Sequence, residues 1–371
     1  MSHKAFVLWV IAQAVACGAA IVGLLYIYDP LQLYHKPYFR ENAFTDDTRV
    51  QNKGIITHYD FTHYILGSCM LQNILASEME QNLDGAWVNI SMAGSSFDTR
   101  AVILRYLLEH KQPKHIVYSL DDFSLISPSP SKTDSFDYLY DENPYNDIKI
   151  YMNNKFLLCA LSFSSAKICT GVKDLNMLLP WALVDESGVT DLFGGFDNWI
   201  AHENDRVQSM MESLRSFDHA PFTKLDNTSS TDTRATRIYL QTYLLSFIKE
   251  HPDTHFSLII PPYSRLHWRI HGSDKLAKWQ ESITYLTQEI AELPNASMYG
   301  FDDLSYTTQI ANYMDPEHYN IDMNRIFIQA LRERTHIIDK ANVSSYLWQM
   351  EQNIRDYDVL PFTTMLQDLA K

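Results

Sequence analysis

The sequence has few cysteines and no long run of lysine or arginine. Only four of its 371 residues are cysteine, and no C-x-x-C pair occurs among them. Neither a disulfide-rich scaffold nor a zinc-binding cysteine cluster is therefore expected. The formal charge is −15, and contacts with nucleic-acid phosphates need clustered cations. We predict no metal site, no cofactor and no nucleic-acid partner.

The four cysteines lie in different contexts. Cys17 falls in an apolar N-terminal stretch, and Cys69 follows a predicted strand. Cys159 and Cys169 are ten residues apart and could form a disulfide in an oxidising compartment. Two buried thiols fit the spacing equally well.

Charged residues are also absent from residues 5–28, which read AFVLWVIAQAVACGAAIVGLLYIY. At about 1.5 Å per residue, a helix of this length crosses a hydrocarbon layer about 30 Å thick. The apolar part is longer than that of a cleaved signal peptide, and no small-residue cleavage site precedes Asp29. We predict an uncleaved signal anchor in the inner membrane over 1–28. His3 and Lys4 favour a cytoplasmic N-terminus, which places the rest in the periplasm or outside the cell.

The remaining chain is long enough for one large α/β domain. We interpret residues 29–57 as a linker and 58–371 as the domain, with a large insertion at about 125–233 where the regular pattern breaks. Strands alternate with helices elsewhere, which indicates parallel strands with right-handed crossovers. The predicted strands are 61–66, 86–90, 115–120, 255–260 and 296–301, and the predicted helices are 70–81, 96–110, 235–250 and 275–293, with a helical tail from 321.

Asp315 and His318 lie three residues apart in the segment MDPEHYN. A carboxylate at this spacing can orient an imidazole, which then accepts a proton from a hydroxyl or thiol. A D-x-x-H pattern alone is not specific, because a helix-capping Asp beside a solvated His gives the same spacing.

The turn Gly67-Ser68-Cys69 follows the first predicted strand and begins a helix. The N-terminus of a helix lowers the pKa of a thiol and offers free N–H groups, so a nucleophile and oxyanion donors would coincide here. Alternatively, Ser68 caps the helix and Cys69 packs as a small apolar residue.

Two further strand ends carry candidate binding residues. Gly94 and Ser95 follow the second strand, where the glycine N–H could contribute to an oxyanion hole. Asp122 follows the third strand and could bind substrate, although an acidic helix cap is an equal interpretation.

Three sequence segments, called blocks in that family, together resemble the SGNH/GDSL hydrolase superfamily. They are a strand that ends in glycine and a nucleophile, a glycine after the second strand, and D-x-x-H near the C-terminus. The likeness covers roughly 60–123 and 255–320. It implies a three-layer, flavodoxin-like parallel sheet with helices on both faces. The signal anchor and first block more narrowly resemble the extracytoplasmic branch, which includes the teichoic-acid D-alanyl transfer protein and SGNH-like proteins of alginate O-acetylation. A membrane-bound O-acyltransferase would be the implied partner.

The sequence departs from the family pattern at two positions. The position of the nucleophilic serine is occupied by Cys69, a thiol that can still accept an acyl group as a thioester. The third block, G-x-N-D, is replaced by Ser119-Leu-Asp-Asp122, so its oxyanion asparagine is absent or supplied from elsewhere.

The sequence leaves two functions open. The first is an acyltransferase or esterase that moves an acyl group from a donor onto or off an envelope polysaccharide, with His318 moving the proton. The second is a catalytically silent SGNH-fold subunit that binds a glycan or supports a membrane complex.

Overall fold

The structure, a computed structural model, describes residues 2–129, 135–183, 188–202, 205–217, 222 and 233–369. The chain divides into two compact units. Unit 1 comprises 1–60, 102–111 and 132–178, and unit 2 comprises 61–101, 112–131 and 179–371.

The helices in the described part of the chain follow one another in this order: α1 His3–Tyr28, α2 Thr48–His58, α3 Cys69–Gln72, α4 Ala76–Asn82, α5 Phe97–His110, α6 Asp122–Ile126, α7 Asn154–Leu161, α8 Lys167–Thr170, α9 Phe196–Ala201, α10 Asp205–Arg215, α11 Arg234–Leu240, α12 Ser246–Glu250, α13 Arg265–His271, α14 Ser273–Ile290, α15 Asp322–Glu333, α16 Val343–Arg355 and α17 Leu360–Leu369. A π-helical turn, Gln241–Leu245, joins α11 to α12.

Unit 2 contains a mostly parallel sheet. In the described part of the chain its strands are β1 His63–Leu66, β2 Trp87–Asn89, β3 His115–Ser119, β4 His255–Ile260, β5 Ala296–Gly300 and β6 Ile337–Ile338. Their order is β2-β1-β3-β4-β5-β6, and only the β5–β6 pairing is antiparallel. The apolar runs that predict strands are buried on the sheet, as expected of parallel strands. The predicted α/β class is therefore confirmed, with a sheet that is parallel except for the β5–β6 pair.

Two elements of unit 2 differ from the sequence prediction. The helix predicted over 70–81 is two helices, because α3 ends at Gln72 and α4 begins only at Ala76. The amide of Asn89 donates to three carbonyl oxygens around the break, those of Leu71, Gln72 and Ile74. The strand β6 is absent from the prediction, because two residues carry no recognisable alternation.

The N-terminal helix α1 agrees with the apolar stretch. Its 26 residues have a mean hydropathy of 2.3 in the most apolar window, and none of that window is buried by the protein. The helix is thus long and apolar enough to span a membrane.

Unit 1 gives structure to much of the predicted linker. Residues 29–57 include most of α2 and bury the side chains of Leu31 and Phe44. Lys53 of α2 forms a buried ion pair with Asp147 at 2.5 Å. Cys159 and Cys169 form a disulfide between α7 and α8, which decides the alternative that the sequence left open.

Candidate functional site

The candidate site begins where β1 and β3 end, side by side in the sheet. β1 has β2 on one side and β3 on the other, so the order in which the chain adds strands to the sheet reverses at β1. In parallel α/β sheets ligands bind at such a point, outside the carboxyl ends of the strands. Gly67 follows β1 there, and a Cβ at this position would lie 2.7 Å from the Ser119 hydroxyl and 2.8 Å from Leu71 Cγ. Glycine is therefore required at this turn.

Cys69, His318 and Asp315 form a chain of polar contacts at this edge. Cys69 Sγ lies 3.1 Å from His318 Nε2. On the other side of the ring, His318 Nδ1 lies 2.8 Å from Asp315 Oδ2 and 3.0 Å from Oδ1. This is the order of nucleophile, base and orienting carboxylate that acyl-transfer triads use.

Asp315 is held in place by the backbone of its own loop. Its Oδ1 accepts hydrogen bonds from the N–H groups of Glu317 at 2.8 Å and His318 at 2.9 Å. Burial raises the pKa of the Asp315 carboxyl, but the charge of His318 and these hydrogen bonds outweigh burial and hold the pKa well below its usual range. Asp315 is therefore a carboxylate, able to fix the ring orientation of His318.

The thiol and the imidazole shift each other's pKa. Burial acts to raise the pKa of Cys69, but the hydrogen bond and charge of His318 outweigh it, so the thiol pKa lies below its ordinary value. Burial acts to lower the pKa of His318, but the Asp315 carboxylate and Cys69 raise it well above its usual range. Both shifts favour a thiolate–imidazolium pair, the reactive form of a cysteine nucleophile.

Gly94 lies in the turn that follows β2. The effect of its backbone N–H on Cys69 helps to lower the thiol pKa. Gly94 has a φ of +60° and is exposed, and a Cβ there would meet nothing within 4 Å. Its neighbour Ser95 is buried and donates from its hydroxyl to the carbonyl oxygen of Gly67 at 3.2 Å, which ties the two turns together.

Ser68, the other candidate nucleophile, is engaged with groups other than His318. Its side chain is fully buried, accepts from Met70 N–H at 3.2 Å and donates to Asp121 Oδ1 at 2.5 Å. Ser68 is therefore the N-cap of α3, as one of the two sequence interpretations had it. Cys69, the first residue of α3, presents its sulfur to the imidazole.

A buried ion pair that the sequence did not reveal supports both turns. Arg100 and Asp121 are each 0% exposed and lie 2.5 Å apart. Arg100 also donates to the carbonyl oxygens of Ser119 at 2.7 Å and Ser95 at 3.0 Å, and Ser119 donates to Asp121 at 2.8 Å. The pair thereby links the end of β3 to the turn that holds Gly94. No sequence signal marks Arg100, since a lone arginine in an amphipathic helix is normally solvated.

Asp122, the third predicted binding residue, takes part in a different contact. Its Oδ2 lies 3.0 Å from His267 Nε2, and its Oδ1 accepts from the backbone N–H of Phe123. The structure thus pairs Asp122 with a histidine of α13.

Trp181, from the predicted insertion, lies against the triad. Its indole N–H donates to the carbonyl oxygen of Cys69 at 3.2 Å, and its ring meets the His318 ring edge-on at 5.7 Å. Phe193 lies parallel to the indole, with 6.5 Å between ring centroids. The insertion therefore supplies an aromatic wall, which sequence reasoning did not assign to a residue.

Searches against models of known protein families and against curated protein sequences find no match to this chain.

Proposed function

We propose that this chain is a membrane-anchored acyltransferase or ester hydrolase of the SGNH type, with Cys69 as the acyl-carrying nucleophile. The observation that carries the proposal is the sequence of contacts from Cys69 through His318 to Asp315, 3.1 Å and 2.8 Å long. The strand order β2-β1-β3-β4-β5 supports it, because this is the order of flavodoxin-like sheets.

The proposed reaction has two steps. In the first, the Cys69 thiolate attacks the carbonyl carbon of an acyl donor, and the leaving oxygen takes the proton of His318, which yields a thioester and a free alcohol. In the second, an acceptor hydroxyl or a water molecule gives its proton to His318 and attacks the thioester, which releases Cys69. The N–H groups of Gly94 and Cys69 are the proposed oxyanion donors, in place of the asparagine that the family pattern supplies.

An envelope polysaccharide is the proposed acceptor or substrate. Support comes from Trp181, a partly exposed aromatic ring beside His318 with Phe193 parallel to it. Such rings have an apolar face suited to stacking and an N–H for a polar contact. A membrane-bound O-acyltransferase is the proposed source of the acyl group, as the resemblance implies.

The proposed location is the outer side of the cytoplasmic membrane, with α1 retained as the anchor. The disulfide between Cys159 and Cys169 suits an oxidising compartment. The end of α1 is also built into unit 1, where Leu25 and Tyr28 are buried and the Tyr28 hydroxyl donates to the carbonyl oxygen of Ser164. Removal of α1 would expose this apolar surface.

The test is acylation of the full chain, purified in detergent, by p-nitrophenyl acetate. We expect one acetyl group on the peptide that contains Cys69, released by neutral hydroxylamine as a thioester is. Cys69→Ala should abolish this label, and His318→Ala should slow it by about 10²–10⁴-fold.

Two control variants make the result specific. Cys17→Ser should leave the label unchanged, because Cys17 lies in the apolar helix α1 and the proposed thioester forms on Cys69. Ser68→Thr keeps the hydroxyl that caps α3 and should also retain the label. If Cys69 stays unlabelled while the folded chain binds a polysaccharide, the protein is the silent binding subunit and the enzyme proposal is wrong.

A further inference from the structure

A second group of ligand-type side chains lies beside the triad loop. His267 and His271 stand one turn apart on α13, and Glu317 lies between Asp315 and His318 in the chain. In the part of the chain that the structure describes, this group places three potential metal-binding atoms within 4.8 Å of one another. From the sequence we predict no metal site, and none of the three is among the candidate residues.

His267 shows what the group is suited to bind. Its side chain is 1% exposed, and its Nδ1 has no hydrogen-bond partner, whereas its Nε2 lies 3.0 Å from the Asp122 carboxylate. A carboxylate only accepts, so Nε2 carries a hydrogen, and Nδ1 is the ring atom that is left to bind a cation. A buried nitrogen without a partner is costly, and such an atom calls for an explanation.

Nδ1 faces a carboxylate oxygen. Glu317 Oε1 lies 3.5 Å from His267 Nδ1, too far for a good hydrogen bond. These two atoms attract each other only when a proton or a metal ion lies between them. Their separation is close to the edge of a tetrahedron of ligands around zinc, about 3.3 Å for bonds of about 2.0–2.1 Å.

We propose that His267 Nδ1, His271 and Glu317 bind a divalent cation of the zinc type, with Asp122 orienting His267 through Nε2. Two imidazoles and one carboxylate are a ligand set that zinc uses. A carboxylate on the far nitrogen of a ligating histidine is the usual second layer of such sites. His271 is exposed and the Glu317 side chain is 45% exposed, so the fourth position opens to solvent.

Lys275 carries a positive charge that disfavours the binding of a cation at this site. Its Nζ lies 3.1 Å from His271 Nδ1. Lys275 is exposed near the start of α14, so its flexible side chain can turn into solvent, or His271 can bind through Nε2. The carboxylates of Glu317 and Asp122 bring more negative charge to the site than this one ammonium brings positive charge.

The proposed ion would fix the loop that carries the triad. The Glu317 N–H donates to Asp315 Oδ1. The carbonyl oxygen of Pro316 accepts a hydrogen bond of 2.6 Å from the hydroxyl of Ser264, which lies three residues before His267 in the chain. An ion held by Glu317 and α13 would add a further tie between the same two segments. The proposed ion would position the loop, and its binding does not depend on whether Cys69 is catalytic.

The experiment is zinc titration of the full chain in detergent after removal of metals with EDTA. Isothermal titration calorimetry and elemental analysis should both give one zinc per chain. His271→Ala and Glu317→Gln change side chains that reach solvent and should each weaken binding by at least about tenfold, and Asp122→Asn by about 10–100-fold. His110→Ala is the matched control, because His110 is likewise the last residue of its helix, and it should leave the affinity unchanged.

A second measurement separates this site from the thiol. Zinc should raise the melting temperature of Cys69→Ala as much as that of the unaltered chain, and should not raise that of the His271→Ala, Glu317→Gln double variant. If zinc binding disappears in Cys69→Ala and persists in the double variant, the ion belongs to the Cys69–His318 pair and the proposal is overturned. Equal zinc uptake by the unaltered chain and the double variant would overturn it as well. Acylation of Cys69 measured in EDTA reports on the proposed function separately.

Discussion

The sulfur of Cys69 and Nε2 of His318 lie 3.1 Å apart although 249 positions separate the two residues in the chain. The contact joins the start of α3, after β1, to the loop before α15. Tyr319, next to His318, donates from its hydroxyl to the carbonyl oxygen of Met70, next to Cys69, so two adjacent contacts fix the approach of the loops. The thiol–imidazole distance is therefore set by packing on both sides.

The first prediction concerns the pH dependence of Cys69 alkylation by iodoacetamide. Only the thiolate reacts, so the rate rises with pH through the thiol pKa. His318 lowers that pKa, and the rise should therefore occur below the pH of about 8.5 typical of a free thiol. In His318→Ala burial dominates, the pKa moves above the ordinary value, and alkylation at pH 7 should fall by more than about tenfold.

The measurement uses the Cys17→Ser background with EDTA, because Cys17 is the other free cysteine. The same chain unfolded in urea provides the reference curve of an ordinary thiol. Identical curves for the folded and unfolded chains would show that His318 does not activate Cys69.

The second prediction concerns the ion pair of Arg100 with Asp121. Arg100→Met leaves the Asp121 carboxylate buried without its counter-charge, which should lower the free energy of unfolding by about 3–5 kcal/mol. Urea unfolding followed by circular dichroism measures the loss. Arg105→Met, an exposed arginine of the same helix, is the matched control and should stay within about 0.5 kcal/mol of the unaltered chain. Equal losses in the two variants would contradict the assigned role.

The third prediction concerns the pH dependence of stability through Asp302. Burial raises the pKa of this carboxyl to about 7, and its Oδ2 accepts from the Tyr346 hydroxyl at 2.5 Å. Because the folded state holds the proton more tightly than the unfolded state, this group makes the protein less stable as pH rises from about 4 to about 7. The conversion of about 1.4 kcal/mol per pKa unit gives a change of about 4 kcal/mol.

Asp302→Asn keeps an acceptor for Tyr346 and removes the titration. We expect its unfolding free energy to lack this decline between about pH 4 and about pH 7, as measured by urea unfolding at a series of pH values. Asp303→Asn, at the exposed neighbouring position, should retain most of the decline. A decline of the same size in Asp302→Asn would assign the effect to another group.

The fourth prediction concerns the end of α1. The Asp29 carboxylate accepts from the backbone N–H groups of Leu33, Tyr34 and His35 and from the hydroxyl of Tyr151. These contacts build the end of α1 into unit 1, so we expect the helix to be retained in the mature protein. N-terminal sequencing of the protein extracted from membranes should begin before Leu25, and alkaline carbonate should not release it. A mature chain that begins after Tyr28 would refute retention.

Local sequence patterns were enough to predict the apolar helix α1, the parallel strands and the segments that follow them. Each depends on residue type within one short window: a stretch without charge, an apolar β-prone run, or a glycine directly after a strand. The D-x-x-H segment is also local, because the Asp315 carboxylate reaches His318 across three residues. For this reason the sequence marked Asp315, His318 and the turn at Gly67 as candidates, although the D-x-x-H pattern alone is not specific and the resemblance to a known family supported the choice.

Only the tertiary structure decided which side chains meet. It turned Ser68 towards Asp121 and Cys69 towards His318, paired Arg100 with Asp121, and brought His267 of α13 next to Glu317. The directions of adjacent side chains in a turn depend on backbone torsions and on what packs around them, and partners up to 249 positions apart leave no periodic signal in the sequence. The sequence therefore determined the elements and the kinds of chemical group at their ends, and packing determined which groups act together.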